Sequence, residues 1–76
     1  MDLIQLLGEN VRSLRKELGL SQEELAFQAG MKRSYLSDLE RGVRNPSVRA
    51  LGRLAEAMSV SPGSLLQGRI SDDPEQ

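Results

Sequence analysis

Residues Leu20–Gly42 read L-S-Q-E-E-L-A-F-Q-A-G-M-K-R-S-Y-L-S-D-L-E-R-G, which is the pattern of two short helices joined by a tight turn. Ser21 is an N-cap residue, and Glu24, three positions on, completes a capping box, so a helix is expected to start at Gln22. Leu25, Ala26 and Ala29 share one face of that helix. Gly30 can adopt the positive φ that ends it, and Met31 plugs the turn. A second helix follows from about Lys32 to Arg41 and stops at Gly42. Its Leu36 and Leu39 turn inward, leaving Arg33, Ser34, Ser37, Asp38 and Arg41 on the opposite face. A helix pair with one buried side, and a polar side opening on Lys-Arg-Ser, suits the major groove of DNA.

On the N-terminal side, Asp2 can cap a first helix from about Leu3 to Leu18. Ile4, Leu7, Val11, Leu14 and Leu18 recur at spacings of 3, 4, 3 and 4, an apolar stripe at helical period. Gly8 interrupts it at a propensity cost of about 1 kcal/mol, which predicts either fraying or close packing there. Gly19 ends the helix. On the C-terminal side, Pro46 keeps Asn45 out of the helical region, and Ser47 caps a fourth helix from about Val48 to Met58. Val48, Leu51, Leu54, Ala55 and Met58 form its expected inward face. Ser61-Pro62 announces a short fifth helix carrying Leu65 and Leu66, closed by Gly68. Residues 69–76 have almost nothing apolar to bury and are expected to be a disordered acidic tail, leaving 1–68 as one domain. The pattern is all-α, five helices around one core.

Composition narrows the chemistry. Seventy-six residues bury only a modest core. The chain has neither cysteine nor histidine, which removes disulfides, the usual zinc sites, thiol nucleophiles and imidazole bases. No metal or cofactor is expected. The apolar runs are far too short for a membrane span and no secretory signal is visible at Met1–Leu7, so a cytoplasmic protein is the plain reading. Net charge is −1, but it is unevenly placed. Between Lys32 and Arg53 six basic residues (Lys32, Arg33, Arg41, Arg44, Arg49, Arg53) outweigh Asp38 and Glu40 by four charges, while the segment after Gly68 carries −2. A chain neutral overall can still set a positive face on phosphates.

The segments S-Q-E-E-L-A, A-G-M, S-Y-L-S-D-L-E-R-G and R-N-P-S, followed by L-x-x-L-A-x-A-M-x-V, together resemble the lambda repressor and Cro type of helix-turn-helix, the XRE family. The match covers roughly residues 3 to 66. Within that family, M-K-R-S-Y-L-S-D-L-E-R-G-V-R-N-P-S most resembles the stand-alone controller proteins of restriction–modification systems. The resemblance implies that the first helix of the pair crosses the phosphate backbone and the second enters the major groove.

Residue by residue, the resemblance places Gln22 at a phosphate, where the helix N-terminus adds partial positive charge. Arg33 matches a base-contacting position. An arginine there can pair bidentately with guanine O6 and N7, worth about 1–3 kcal/mol of discrimination. Lys32 touches a phosphate or base at the groove edge; Ser34 and Ser37 allow close approach, and Ser34 can bond a base or phosphate. Tyr35 matches a tyrosine with a phosphate-side contact, with half-burial against the fourth helix as the competing role. Asp38 either repels phosphates, accepts from cytosine N4 or pairs with Arg41; pairing is favoured. Arg44 and Asn45 reach the backbone and fix register. Glu40 matches a glutamate paired with a basic residue near the end of the first helix, which is Arg15, a structural ion pair.

One such domain meets one half-site, so a homodimer on a palindromic operator is expected, with an interface through Met58, Val60, Leu65 and Leu66. The partners implied are double-stranded DNA and a second copy. Glu23 and Glu24 offer an acidic contact to RNA polymerase and serve equally as N-terminal helix charges. No small-molecule pocket is expected. The leading function is an autoregulatory, sequence-specific transcriptional regulator of controller type, ahead of a phage-type repressor or an antitoxin-like regulator. A protein-interaction module that has lost DNA draws support from Asp38 and the −1 charge. An enzyme is disfavoured, because the carboxylates are scattered and no nucleophile has a base beside it.

Overall fold

The computed structural model describes residues 2–68. Four α-helices follow in order: α1 Leu3–Glu17, α2 Gln22–Ala29, α3 Arg33–Glu40 and α4 Val48–Ala57, with a 3-10 turn at Pro62–Leu66 and no strand among the described residues. Local chemistry sets the starts. Asp2 accepts from the Ile4 amide at 3.1 Å, Ser21 and Glu24 form both halves of a capping box, and Ser47 accepts from the Ala50 amide at 3.0 Å. The ends share one device, the paired hydrogen bonds of a Schellman closure. At α3 they run from Gly42 N–H to Leu39 O and from Val43 N–H to Asp38 O. Glycine supplies the left-handed residue at 19, 30 and 42, whereas α4 turns on Ser59 at φ 59°.

α1 packs on α3 and on the 3-10 turn, and α2 lies between α3 and α4. Val11, Leu25, Leu36, Leu39, Leu54 and Leu65 fill the centre, with Met31, Tyr35 and Leu20 packed at its edge. Gly8 is a site of close packing. A Cβ there would overlap the Leu39 carbonyl oxygen and stand 2.9 Å from that of Glu40, so α1 touches the end of α3 backbone to backbone. Asn10 is buried beside it, where its Nδ2 donates to the carbonyls of Leu65 and Gln67 at 2.9 and 2.8 Å and ties the 3-10 turn to α1.

Several expectations are corrected. The fifth helix is a single 3-10 stretch, consistent with a five-residue segment that begins Pro-Gly and is too short to propagate α hydrogen bonds. Leu18 is 48% exposed, because it is the cap residue of α1 and the closing turn sends Leu20 back to the core instead. Val48 is 86% exposed although it lies seven residues, nearly two full turns, before the buried Ala55: as the first residue of α4 it stands at the open end of the helix, beside the start of α1. The expected tail, residues 69–76, lies outside the described residues, as does Met1.

Candidate nucleic-acid interface

α3 is fixed on three sides. Leu36 and Leu39 are fully buried, and Glu40, last in the helix, is buried with them. Arg15 of α1 meets the Glu40 carboxylate through two bonds, Nε to Oε2 at 2.6 Å and Nη2 to Oε1 at 3.1 Å, and its Nη1 donates to the Leu20 carbonyl at 2.9 Å. The side chains of this pair are only 10% and 3% exposed. Glu40 Oε1 also accepts from Gln22 Nε2 at 3.0 Å. One carboxylate thus joins α1, α2 and α3, and it sets how the helix pair is held against the rest of the molecule.

Gln22 was expected to reach outward. It is half-buried with one amide hydrogen given to Glu40, and an amide nitrogen carries two, so the second remains to donate at the N-terminus of α2. No sequence signal distinguishes such a glutamine from a fully exposed one, because its partner lies eighteen residues away.

The outward face of α3 carries its residues in two groups. At the N-terminal end Lys32, Arg33 and Ser34 are exposed, with no hydrogen bond or ion pair engaging Arg33 among the described residues. Lys32 stands at the cap position, with no side-chain capping bond. Ser37 is half-buried in the next turn. At the C-terminal end Asp38 accepts from Arg41 Nη2 at 2.9 Å and lies 3.6 Å from Arg44 Nη2. The pairing with Arg41 is present, and a second arginine joins it. The Arg44 guanidinium also sits 4.4 Å from the centre of the Tyr35 ring, a cation–π geometry. Tyr35 is half-buried against the core, so its ring acts as a platform for Arg44. The Gly42 turn produces this arrangement by folding the chain back over the last turn of α3. Asn45 is exposed in the following loop.

The face expected to pair two copies is largely consumed by the fold. Met58 and Leu65 are 3% and 2% exposed within one chain, while Val60 and Leu66 are half-buried. Among the described residues the exposed large apolar side chains lie elsewhere, at Leu3, Leu18, Phe27, Val43 and Val48. Leu3, Ile4, Pro46, Val48, Leu51 and Leu66 line a groove between the starts of α1 and α4. Among the described residues no group of histidine, cysteine, aspartate or glutamate is arranged to hold a metal ion, and no helix is long and apolar enough to cross a membrane.

Comparison with known proteins agrees with this geometry. A model described as helix-turn-helix matches residues 11–65. The chain is 51% identical over 61 residues to an uncharacterised HTH-type transcriptional regulator, y4dJ, of Sinorhizobium fredii, spanning 80% of this chain and 79% of that protein. It is 42% identical over 72 residues to the control protein C.BamHI of Bacillus amyloliquefaciens, spanning 93% of this chain and 89% of that one. Among solved structures, the restriction-modification controller protein C.AhdI from Aeromonas hydrophila superposes with a TM-score of 0.80 at 44% identity, covering 82% of this chain and 94% of that one.

Proposed function

We propose that this chain, which belongs to the helix-turn-helix family of transcriptional regulators and is not an enzyme, binds a palindromic DNA operator as a cytoplasmic homodimer and regulates its own operon as a restriction–modification controller. The observation that carries the reading is the first turn of α3, where Lys32, Arg33 and Ser34 stand exposed on a helix that Glu40, Leu36 and Leu39 lock in place. Arg33 has an undivided guanidinium fork to offer guanine. Gln22, Arg44 and Asn45 flank it at the positions from which phosphate contacts set register. The similarity to C.BamHI and C.AhdI supports the controller subtype.

Pairing of two copies is assigned to the groove between the starts of α1 and α4, with Val48 and Leu3 at its rim and Leu66 as the continuation of the surface first expected. This groove is lined in part by Asn45 and Pro46 of the loop that follows α3. Fluorescence anisotropy of the purified protein on its own upstream DNA, beside a scrambled duplex and across a salt series, tests the function. A preference for the native duplex with a steep salt dependence is expected. Equal and weak binding to both, and to a duplex selected from a random library, removes the DNA reading and leaves a protein-interaction module.

A further inference from the structure

Asp38 is a carboxylate in the middle of a face that otherwise presents cations and serines, and it pairs with two of the cations. Its Oδ1 accepts from Arg41 and its Oδ2 faces Arg44, whose guanidinium is simultaneously laid on the Tyr35 ring. The two arginines remain 65% and 42% exposed at the side chain, so they are not buried structural cations. They are surface cations whose orientation Asp38 biases. Arg33, at the other end of the same helix, has no such partner among the described residues.

The difference matters for how each arginine meets DNA. A mobile surface arginine finds some phosphate on any duplex in any register, which is the source of sequence-independent binding. Arg44, with one edge toward a carboxylate and its face on an aromatic ring, offers its remaining N–H groups over a narrowed range of directions, and Arg41 is restrained by the carboxylate alone. Each meets a phosphate best when the helix is seated at one depth and one register. That seating is what base contacts by Arg33 select.

We infer that Asp38 is a specificity-determining positioning residue: it ties Arg41 and Arg44 down so that their phosphate contacts form only on a duplex that Arg33 has already accepted. The inference rests on the DNA-binding reading above. It adds that the carboxylate raises discrimination by suppressing binding to wrong sequences, rather than by reading a base.

The test is Asp38→Asn, measured by anisotropy on two duplexes: one selected by the wild-type protein from a random library, and a scramble of it. Release of the two arginines should add one or two phosphate contacts to the scrambled complex, steepening its log–log salt slope by about 1–2 and strengthening it about tenfold at low salt. Affinity for the selected duplex should change less than about threefold, so the preference narrows by a similar factor. In an Arg41→Gln/Arg44→Gln background the same Asp38→Asn change should leave the scrambled slope unmoved. Three results overturn the inference: equal strengthening on both duplexes, which is general charge attraction; a loss confined to the selected duplex, which makes Asp38 a cytosine reader; or no change on either. Asp38→Ala, assayed alongside with thermal melts of every variant, gives the same readouts if the asparagine variant fails to fold. Wild-type protein that shows no preference for any duplex would remove the DNA-binding reading itself, and this inference with it.

Discussion

Glu40→Ala isolates the physics that holds the helix pair. The substitution removes the carboxylate that Arg15 meets at 2.6 and 3.1 Å, and it strips Gln22 of its acceptor. The arginine side chain is 10% exposed, so its charge stays largely out of water, with the Leu20 carbonyl still accepting from its Nη1. Breaking a buried pair from one side costs about 3–5 kcal/mol, because the orphaned charge keeps its desolvation penalty and loses its compensation. A 76-residue chain holds about 4–11 kcal/mol in total at roughly 0.05–0.15 kcal/mol per residue. The loss is therefore a large share of all the stability there is. At about 4–8 °C per kcal/mol for a domain of this size, the melting midpoint should fall by at least 12 °C.

Circular dichroism melts at one protein concentration supply the measurement, since a dimerising protein's midpoint depends on concentration. The companion variant is Arg15→Met/Glu40→Leu, which removes both charges and should recover most of the loss. A midpoint for Glu40→Ala within about 5 °C of wild type, against the range expected for a broken buried pair, would refute the argument. The pair would then be a solvated surface contact and could not be what orients α3.

Three further outcomes follow from the same geometry. Gly8→Ala should destabilise by about 1–3 kcal/mol in urea unfolding, although helix propensity alone favours alanine by about 1 kcal/mol, because the new methyl overlaps the Leu39 and Glu40 carbonyls; a gain in stability would show that the two helices do not touch there. Arg33→Ala should cost about 1–3 kcal/mol on the preferred duplex and almost nothing on a scrambled one, with the melt unchanged; parallel losses on both would make it a phosphate contact. Val48→Glu should leave the monomer fold intact, the residue being 86% exposed, yet shift sedimentation equilibrium toward monomer; an unchanged dimer would move the interface away from the α1–α4 groove.

The features legible in the sequence were those governed by neighbours along the chain. Ser21 and Glu24 specify a capping box because the two groups are one helical turn apart. Gly30 and Gly42 announce closures because glycine tolerates the left-handed backbone that a side chain resists. The inward leucines of α3 follow from period alone. Asp38 and Arg41 pair because they are three residues apart on one helix. Arg15 and Glu40 are different, since twenty-five residues separate them; only the family resemblance suggested that pair.

What the sequence could not decide were the matters settled by packing between helices. Val48 and Leu54 both look like inward residues of α4, and only the second is buried, because Val48 stands at the first position of the helix beside an open groove. Met58 and Leu65 look like spare apolar surface, until the 3-10 turn folds onto α1 and α4 and uses them up. Asn10 gives no sign that it will be buried, because its partners are carbonyls more than fifty residues ahead. Gln22 and Arg44 gained their partners in the same way, one across the Glu40 network and one around the Gly42 turn onto Tyr35. By itself, then, the sequence determined where helices begin and end and which faces are apolar, since caps and periodicity act over one or two turns. Which of those apolar faces are left for a partner was decided only by the tertiary structure, since that depends on contacts between residues that the chain brings together from a distance.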